Sequence, residues 1–121
     1  MIIACDFDGC ISNAKYPHVG NPNIQLINQL IRCKKNGDRL ILWTMREGQA
    51  LDLAIKFCKG FGLSFDVVND NLPEMVEKWQ ENPRKIYADI YIDDRAINIK
   101  EYMKKYCEKR KGNVRGIRVR G

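Results

Sequence analysis

Apolar residues along this chain fall into short blocks that alternate between continuous runs and helically spaced sets. Residues 1–7 open with Met1-Ile2-Ile3-Ala4 and pass through Cys5 into Asp6-Phe7-Asp8, a short β-prone strand ending in acidic residues. Residues 10–20, with Ser12, Asn13, Pro17 and Gly20, read as a loop. Asn21-Pro22 then predicts a helix start, Asn as the cap and Pro in the first helical position. Ile24, Ile27, Leu30, Ile31 and Cys33 recur at helical spacing, and Gly37 supplies the stop. Leu40-Ile41-Leu42-Trp43 is a continuous apolar run ending in Thr44, as expected of a strand buried on both faces. A second helix is predicted over residues 49–59, with Leu51, Leu53, Ala54, Ile55, Phe57 and Cys58 on or near its inner face and Gly60 and Gly62 closing it. Residues 65–68 predict a third strand, 73–80 a short helix opened by Pro73, and 90–92 a fourth strand running into Asp93-Asp94. The last helix is expected over residues 96–108, carrying Ile97, Ile99, Tyr102, Met103 and Tyr106.

Strands alternating with helices imply an α/β fold, a three-layer Rossmann-like parallel sheet flanked by helices. In such sheets ligands bind beyond the carboxyl ends of the strands. The polar residues that interrupt the apolar runs (Asp6 and Asp8, Thr44, Asp93 and Asp94) all fall at those ends, so three strands would deliver them to one crevice.

Composition narrows this picture without redirecting it. The 121 residues fit one domain, with a hydrophobic fraction of 45% and a charged fraction of 30%, excluding a disordered acidic tract. No apolar run approaches the ~20 residues of a membrane span. Met1 to Ala4 leads directly into Asp6 and lacks the basic and long apolar regions of a signal peptide, so the expectation is a cytoplasmic protein without a membrane partner. The five cysteines form no C-x-x-C pair and are expected to be reduced thiols, mostly buried. The net charge of +6 is concentrated at the end of the chain: residues 100–121 carry nine Lys or Arg against Glu101 and Glu108, leaving −1 for residues 1–99. We therefore divide the chain into a domain over residues 1–111 and a basic tail over 112–121, which is either an edge strand or without regular structure.

Two carboxylates at i and i+2 of a strand project the same way, and Gly9 permits a sharp departure after them. One can attack a phosphoryl group, since Asp is an accepted nucleophile for phosphate, and the other can transfer a proton. Carboxylates so close to each other and to a phosphate dianion repel, and Mg²⁺, which favours oxygen ligands, relieves this. Asp94 or Asp93 can complete its ligand set, Thr44 offers a hydroxyl to a phosphate oxygen, and Lys85 offers a positive charge.

At this level of detail the chain resembles the haloacid dehalogenase (HAD) superfamily of phosphohydrolases. Asp6-Phe7-Asp8-Gly9 looks like its first motif, Leu42-Trp43-Thr44 its second, Lys85 the lysine of its third, and Asp93-Asp94 its fourth; together they span roughly residues 2–100. The resemblance implies that Asp6 is the nucleophile and Asp8 the acid and base, and that Asp6 and the Asp8 backbone carbonyl ligate Mg²⁺. It further implies that Asp94 is a direct ligand and that Asp93 acts behind it or through water. Dehalogenating members lack the second aspartate, so Asp8 points to phosphate chemistry. Position 10 departs from the pattern, with Cys where Thr is usual. The gaps at 10–21 and 46–84 are too short for a cap domain, which implies an open, capless site.

Some residues carry two readings. Arg46 either meets the substrate phosphate or forms a surface ion pair with Glu47 or Asp70, and Lys85 has Arg84 as its rival. His18, in the loop facing the crevice, either contacts substrate or is an exposed loop residue, and Trp43 and Trp79 are read as core. Cys10 is a candidate redox-sensitive thiol only if its pKa is lowered. The expected function is Mg²⁺-dependent hydrolysis of a phosphomonoester, a small molecule or a macromolecule end, through an aspartyl-phosphate on Asp6. The alternative is a phosphate- or nucleic-acid-binding module, or a weakly active HAD-like protein, that uses its basic C-terminal segment. Nucleic acid and homo-oligomerisation are both admitted as partnerships by this reading.

Overall fold

A computed structural model describes residues 1–107. Four parallel strands, β1 (Ile2–Cys5), β2 (Arg39–Leu42), β3 (Val67–Val68) and β4 (Ile90–Ile92), lie in the order β3-β2-β1-β4. Ile3 pairs with Leu40 on one side and Ile90 on the other, so β1 is central, and Ile3, Ala4 and Cys5 are buried. From β1 the chain steps outward through β2 to β3 and then returns across the sheet to β4. The reversal of strand order therefore falls between β1 and β4, the position where such sheets open a crevice at their carboxyl ends.

Alternate residues of the strands serve two cores. Ile3, Cys5, Leu40 and Leu42 pack with Ile27 and Leu30 of α1 (Ile24–Lys35) and with Ala54 and Cys58 of α2 (Gly48–Gly60). Ala4 and Ile41 face the other way, onto Leu72, Ile86, Ala88 and the half-buried Met75 of α3 (Pro73–Trp79). The result is the expected three-layer α/β arrangement. None of the described helices is long and apolar enough to cross a membrane.

The elements depart from the pattern-based expectation at three points. α1 is capped by Asn23, whose side chain accepts from Leu26 N, and not by Asn21. Pro22 instead bridges to Ser12, because the loop after β1 uses residues 21–22 to close on itself. In α2 the buried positions are Ala50, Ala54 and Cys58, small residues at i, i+4 and i+8 that bring the helix close to the sheet, while Leu53 is half exposed. The last helix is short: α4 (Ile99–Tyr102) is capped by Asn98 and passes into a π-helical turn, Met103–Cys107. That turn breaks the 3.6-residue stripe, and Ile97, Ile99, Tyr102, Met103 and Tyr106 are exposed rather than laid on the sheet. Residue 108 and the basic tail 112–121 lie outside the described residues. All five cysteines are free; Cys5 and Cys58 are buried, and Cys10, Cys33 and Cys107 are half-buried.

Candidate active site

β1 ends at the first of the candidate residues. Asp6 N donates to Ile92 O at 3.0 Å, carrying the ladder with β4 one residue past the strand. The backbone then turns sharply: Gly9 N donates to Ser12 O, and Cys10 N and Ser12 N both donate to Phe7 O. Gly9 adopts φ +82°, open to glycine at little cost. A Cβ there would lie 2.2 Å from Asp94 Oδ2, so the turn after β1 and the acidic pair after β4 touch at a position only glycine allows.

Asp6, Asp93 and Asp94 form one cluster, each offering a carboxylate oxygen within 4.8 Å of the others. Asp93 Oδ1 also accepts from Arg95 N at 2.9 Å, which fixes the turn after β4. Burial pushes the Asp6 carboxyl up to about 6, against the opposing hydrogen bond from Phe7 N, and the neighbouring Asp93, Asp8 and Asp94 add to the rise. A group of crowded carboxylates, one partly desolvated, is a donor set suited to a hard divalent cation.

Thr44 sits at the end of β2, 9% exposed. Its backbone is gripped at both ends by the Asn69 side chain, which accepts from Thr44 N at 2.7 Å and donates to Thr44 O at 2.8 Å. Thr44 Oγ1 accepts from Arg46 N at 3.1 Å, so the hydroxyl keeps its own proton to donate.

Arg46 is not on the surface. It is 1% exposed, and all five guanidinium N–H groups are engaged. Nε and Nη2 donate to the two carboxylate oxygens of Asp8 at 2.9 and 2.8 Å, and Nη1 donates to Pro17 O at 3.0 Å and Ala50 O at 3.1 Å. Nη2 also donates to His18 O. Its Cζ lies 4.8 Å from the centre of the Phe7 ring and 5.4 Å from that of Tyr16. With no donor left, Arg46 is not a phosphate ligand in this arrangement, and its ion-pair partner is Asp8, neither Glu47 nor Asp70. Sequence spacing hides this because residues 8 and 46 meet only when β1 and β2 lie side by side.

Lys85 is exposed, and among the described residues it forms no ion pair with the acidic cluster. Its loop is nonetheless held firmly. Asn71, 2% exposed, donates to Asn82 Oδ1 and Pro83 O and accepts from Tyr87 N, bracketing residues 84 and 85 from both sides. The Asn69-Asp70-Asn71 run is therefore a structural part of the site that apolar patterning passes over. Its one sequence signal is a polar, turn-forming run at the carboxyl end of a strand. Asn23 is a second such residue, since Nδ2 donates to Cys10 O while Oδ1 caps α1. Burial and the nearby acidic groups push the Cys10 thiol up to about 11, which keeps it protonated and removes it as a redox-sensitive thiolate.

No protein-family model and no curated protein matches the chain. Among solved structures, one of a conserved protein coded by a locus from Bacteroides thetaiotaomicron is 40% identical over 87% of this chain and 89% of its own, with a TM-score of 0.71. With identity and coverage this high, the chain belongs to the family of that conserved Bacteroides thetaiotaomicron protein.

Proposed function

We propose that the protein is a Mg²⁺-dependent phosphomonoester hydrolase of the HAD type, working through an aspartyl-phosphate on Asp6. The observation that carries this reading is the meeting of Asp6, Asp93 and Asp94 at the point of strand-order reversal. In this scheme Asp6 attacks phosphorus, Asp8 gives a proton to the leaving oxygen and then takes one from the water that cleaves the intermediate, and the Thr44 hydroxyl donates to a phosphate oxygen. Asp6, Asp94 and Asp93 would hold the metal. Bound there, Mg²⁺ would offset the charge of the carboxylates and of the phosphate. Lys85, on a firmly held loop, joins the phosphate site by turning its side chain inward. The substrate is a phosphorylated small molecule or macromolecule end, and the setting is cytoplasmic.

The test is Asp6→Asn, which preserves shape and removes the nucleophile. Hydrolysis of an aryl phosphate in Mg²⁺ is expected to fall by at least about a thousandfold with an unchanged circular dichroism spectrum. Wild-type turnover in that variant would refute the scheme.

One observation favours a second reading, a phosphate-binding protein with weak turnover. Both Asp8 oxygens accept from Arg46, which leaves only one lone pair on each for proton transfer. Under this reading wild-type protein binds inorganic phosphate in Mg²⁺ yet hydrolyses esters no faster than Asp6→Asn.

A further inference from the structure

Resting on the phosphatase reading, we propose that Tyr16 and Met45 form a substrate-sorting lip that selects phosphate esters whose leaving group carries an aromatic ring. Both residues are large, apolar-bodied and exposed, Met45 at 100% and Tyr16 at 64%. Neither position is loosely held. Met45 stands between Thr44 and Arg46, two of the four buried polar or charged residues of the described chain. Its neighbours on both sides are buried, and the Met45 side chain, one residue past Thr44, stands in solvent.

Tyr16 is placed by its loop. Arg46 binds the carbonyls of Pro17 and His18, Ser12 Oγ donates to Val19 O, and Asn13 Oδ1 accepts from Asn21 N. The Tyr16 ring is 5.4 Å from the Arg46 Cζ, and that same guanidinium grips the Asp8 carboxylate. In the proposed scheme Asp8 meets the leaving oxygen, and Tyr16 is linked to Asp8 through the one guanidinium that both of them contact.

The chemistry of the pair points to a flat apolar partner. A tyrosine ring offers a stacking face at small entropic cost, and a methionine thioether adapts to the edge of an aromatic ring. A polyol would need several converging hydrogen-bonding groups, which this pair does not supply. The sorting falls to these residues because, among the described residues, no cap domain stands over the site.

Steady-state kinetics on a nucleoside 5′-monophosphate and on glycerol 3-phosphate tests this, since both are primary alkyl esters that differ in the ring. Tyr16→Ala is expected to raise KM for the nucleotide about tenfold more than for glycerol 3-phosphate, the usual scale for one lost base–aromatic stack. Tyr16→Phe should keep the wild-type preference. Equal changes for the two esters, or none, would overturn the lip. If wild-type protein hydrolyses neither ester, the phosphatase reading rests on the aryl phosphate test alone and the lip is decided by calorimetry in Mg²⁺. Nucleotide bound about tenfold more tightly than inorganic phosphate by the wild type, but not by Tyr16→Ala, supports it. Equal affinities reject it.

Discussion

Asp6 and Asp8 stand two residues apart and experience opposite surroundings. Asp6 is partly desolvated among other carboxylates, whereas Asp8 rests both oxygens on a buried guanidinium. The Asp6 carboxyl is raised to about 6 in the folded protein, so the folded state holds a proton that the unfolded chain, titrating near 4, has released. Metal-free protein should therefore lose stability as pH rises from about 4 to about 6, the reverse of the usual salt-bridged aspartate. Asp6→Asn is expected to flatten that slope and to stabilise the metal-free protein at pH 7 by on the order of 1 kcal/mol, discounted for the exposure of the carboxylate. Asp8→Asn should act with the opposite sign, costing about 3 kcal/mol because it leaves Arg46 as an unpaired buried charge. Urea unfolding in a chelator measures both. Destabilisation by Asp6→Asn under those conditions would refute the account of Asp6.

At the scale of elements, the site is a meeting of loops rather than of strands. The turn after β1 and the turn after β4 touch at Gly9, and two separate costs can be told apart there. A side chain at Gly9 suffers both the positive φ and collision with Asp94 Oδ2, whereas one at Gly37, φ +96°, meets nothing within 4 Å. Gly9→Ala and Gly37→Ala are each expected to cost about 1–3 kcal/mol of backbone strain. Only Gly9→Ala should also abolish the rise in melting temperature on adding Mg²⁺, because it displaces Asp94. An equal Mg²⁺ response in the two variants would separate Asp94 from the proposed metal site. The asparagines act at this scale too: Asn69 clamps Thr44, Asn71 holds the loop of Lys85, and Asn23 ties α1 to the turn after Asp6.

For the whole molecule, the relevant quantities are topology and charge. The strand order carries β4 back beside β1, and so delivers Asp93 and Asp94 to Asp6 across 87 and 88 residues of sequence. Charge is distributed differently from chemistry. Residues 109–121 hold six Lys or Arg and no acidic residue, so deleting them takes the net charge from +6 to zero. If this segment recruits polyanions, wild-type protein should bind a single-stranded oligonucleotide with an affinity that falls steeply with salt, and the deletion should remove that binding. Fluorescence anisotropy at two salt concentrations decides it. Persistence of binding after the deletion would move the nucleic-acid surface into the domain.

The order and type of the elements were legible in the chain because each apolar block announces its own period. So was the placing of Asp6, Thr44, Asp93 and Asp94 at strand ends, because a parallel sheet sends every carboxyl end to the same side. Helix boundaries were less so: Asn21 and Asn23 are chemically equal caps, and the choice fell to how the preceding loop closes. The stripe over residues 97–106 looked helical, yet a π turn interrupts it and leaves its apolar side chains exposed. Arg46 is the clearest case. By sequence it is a cation near a candidate phosphate ligand; by structure its five donors are spent on Asp8 and on three backbone carbonyls, two from the loop after β1 and one from α2. Periodicity and residue chemistry, being local, determined which groups reach the crevice. Which of them pair with one another there depends on contacts distant along the chain, and only the tertiary structure decided it.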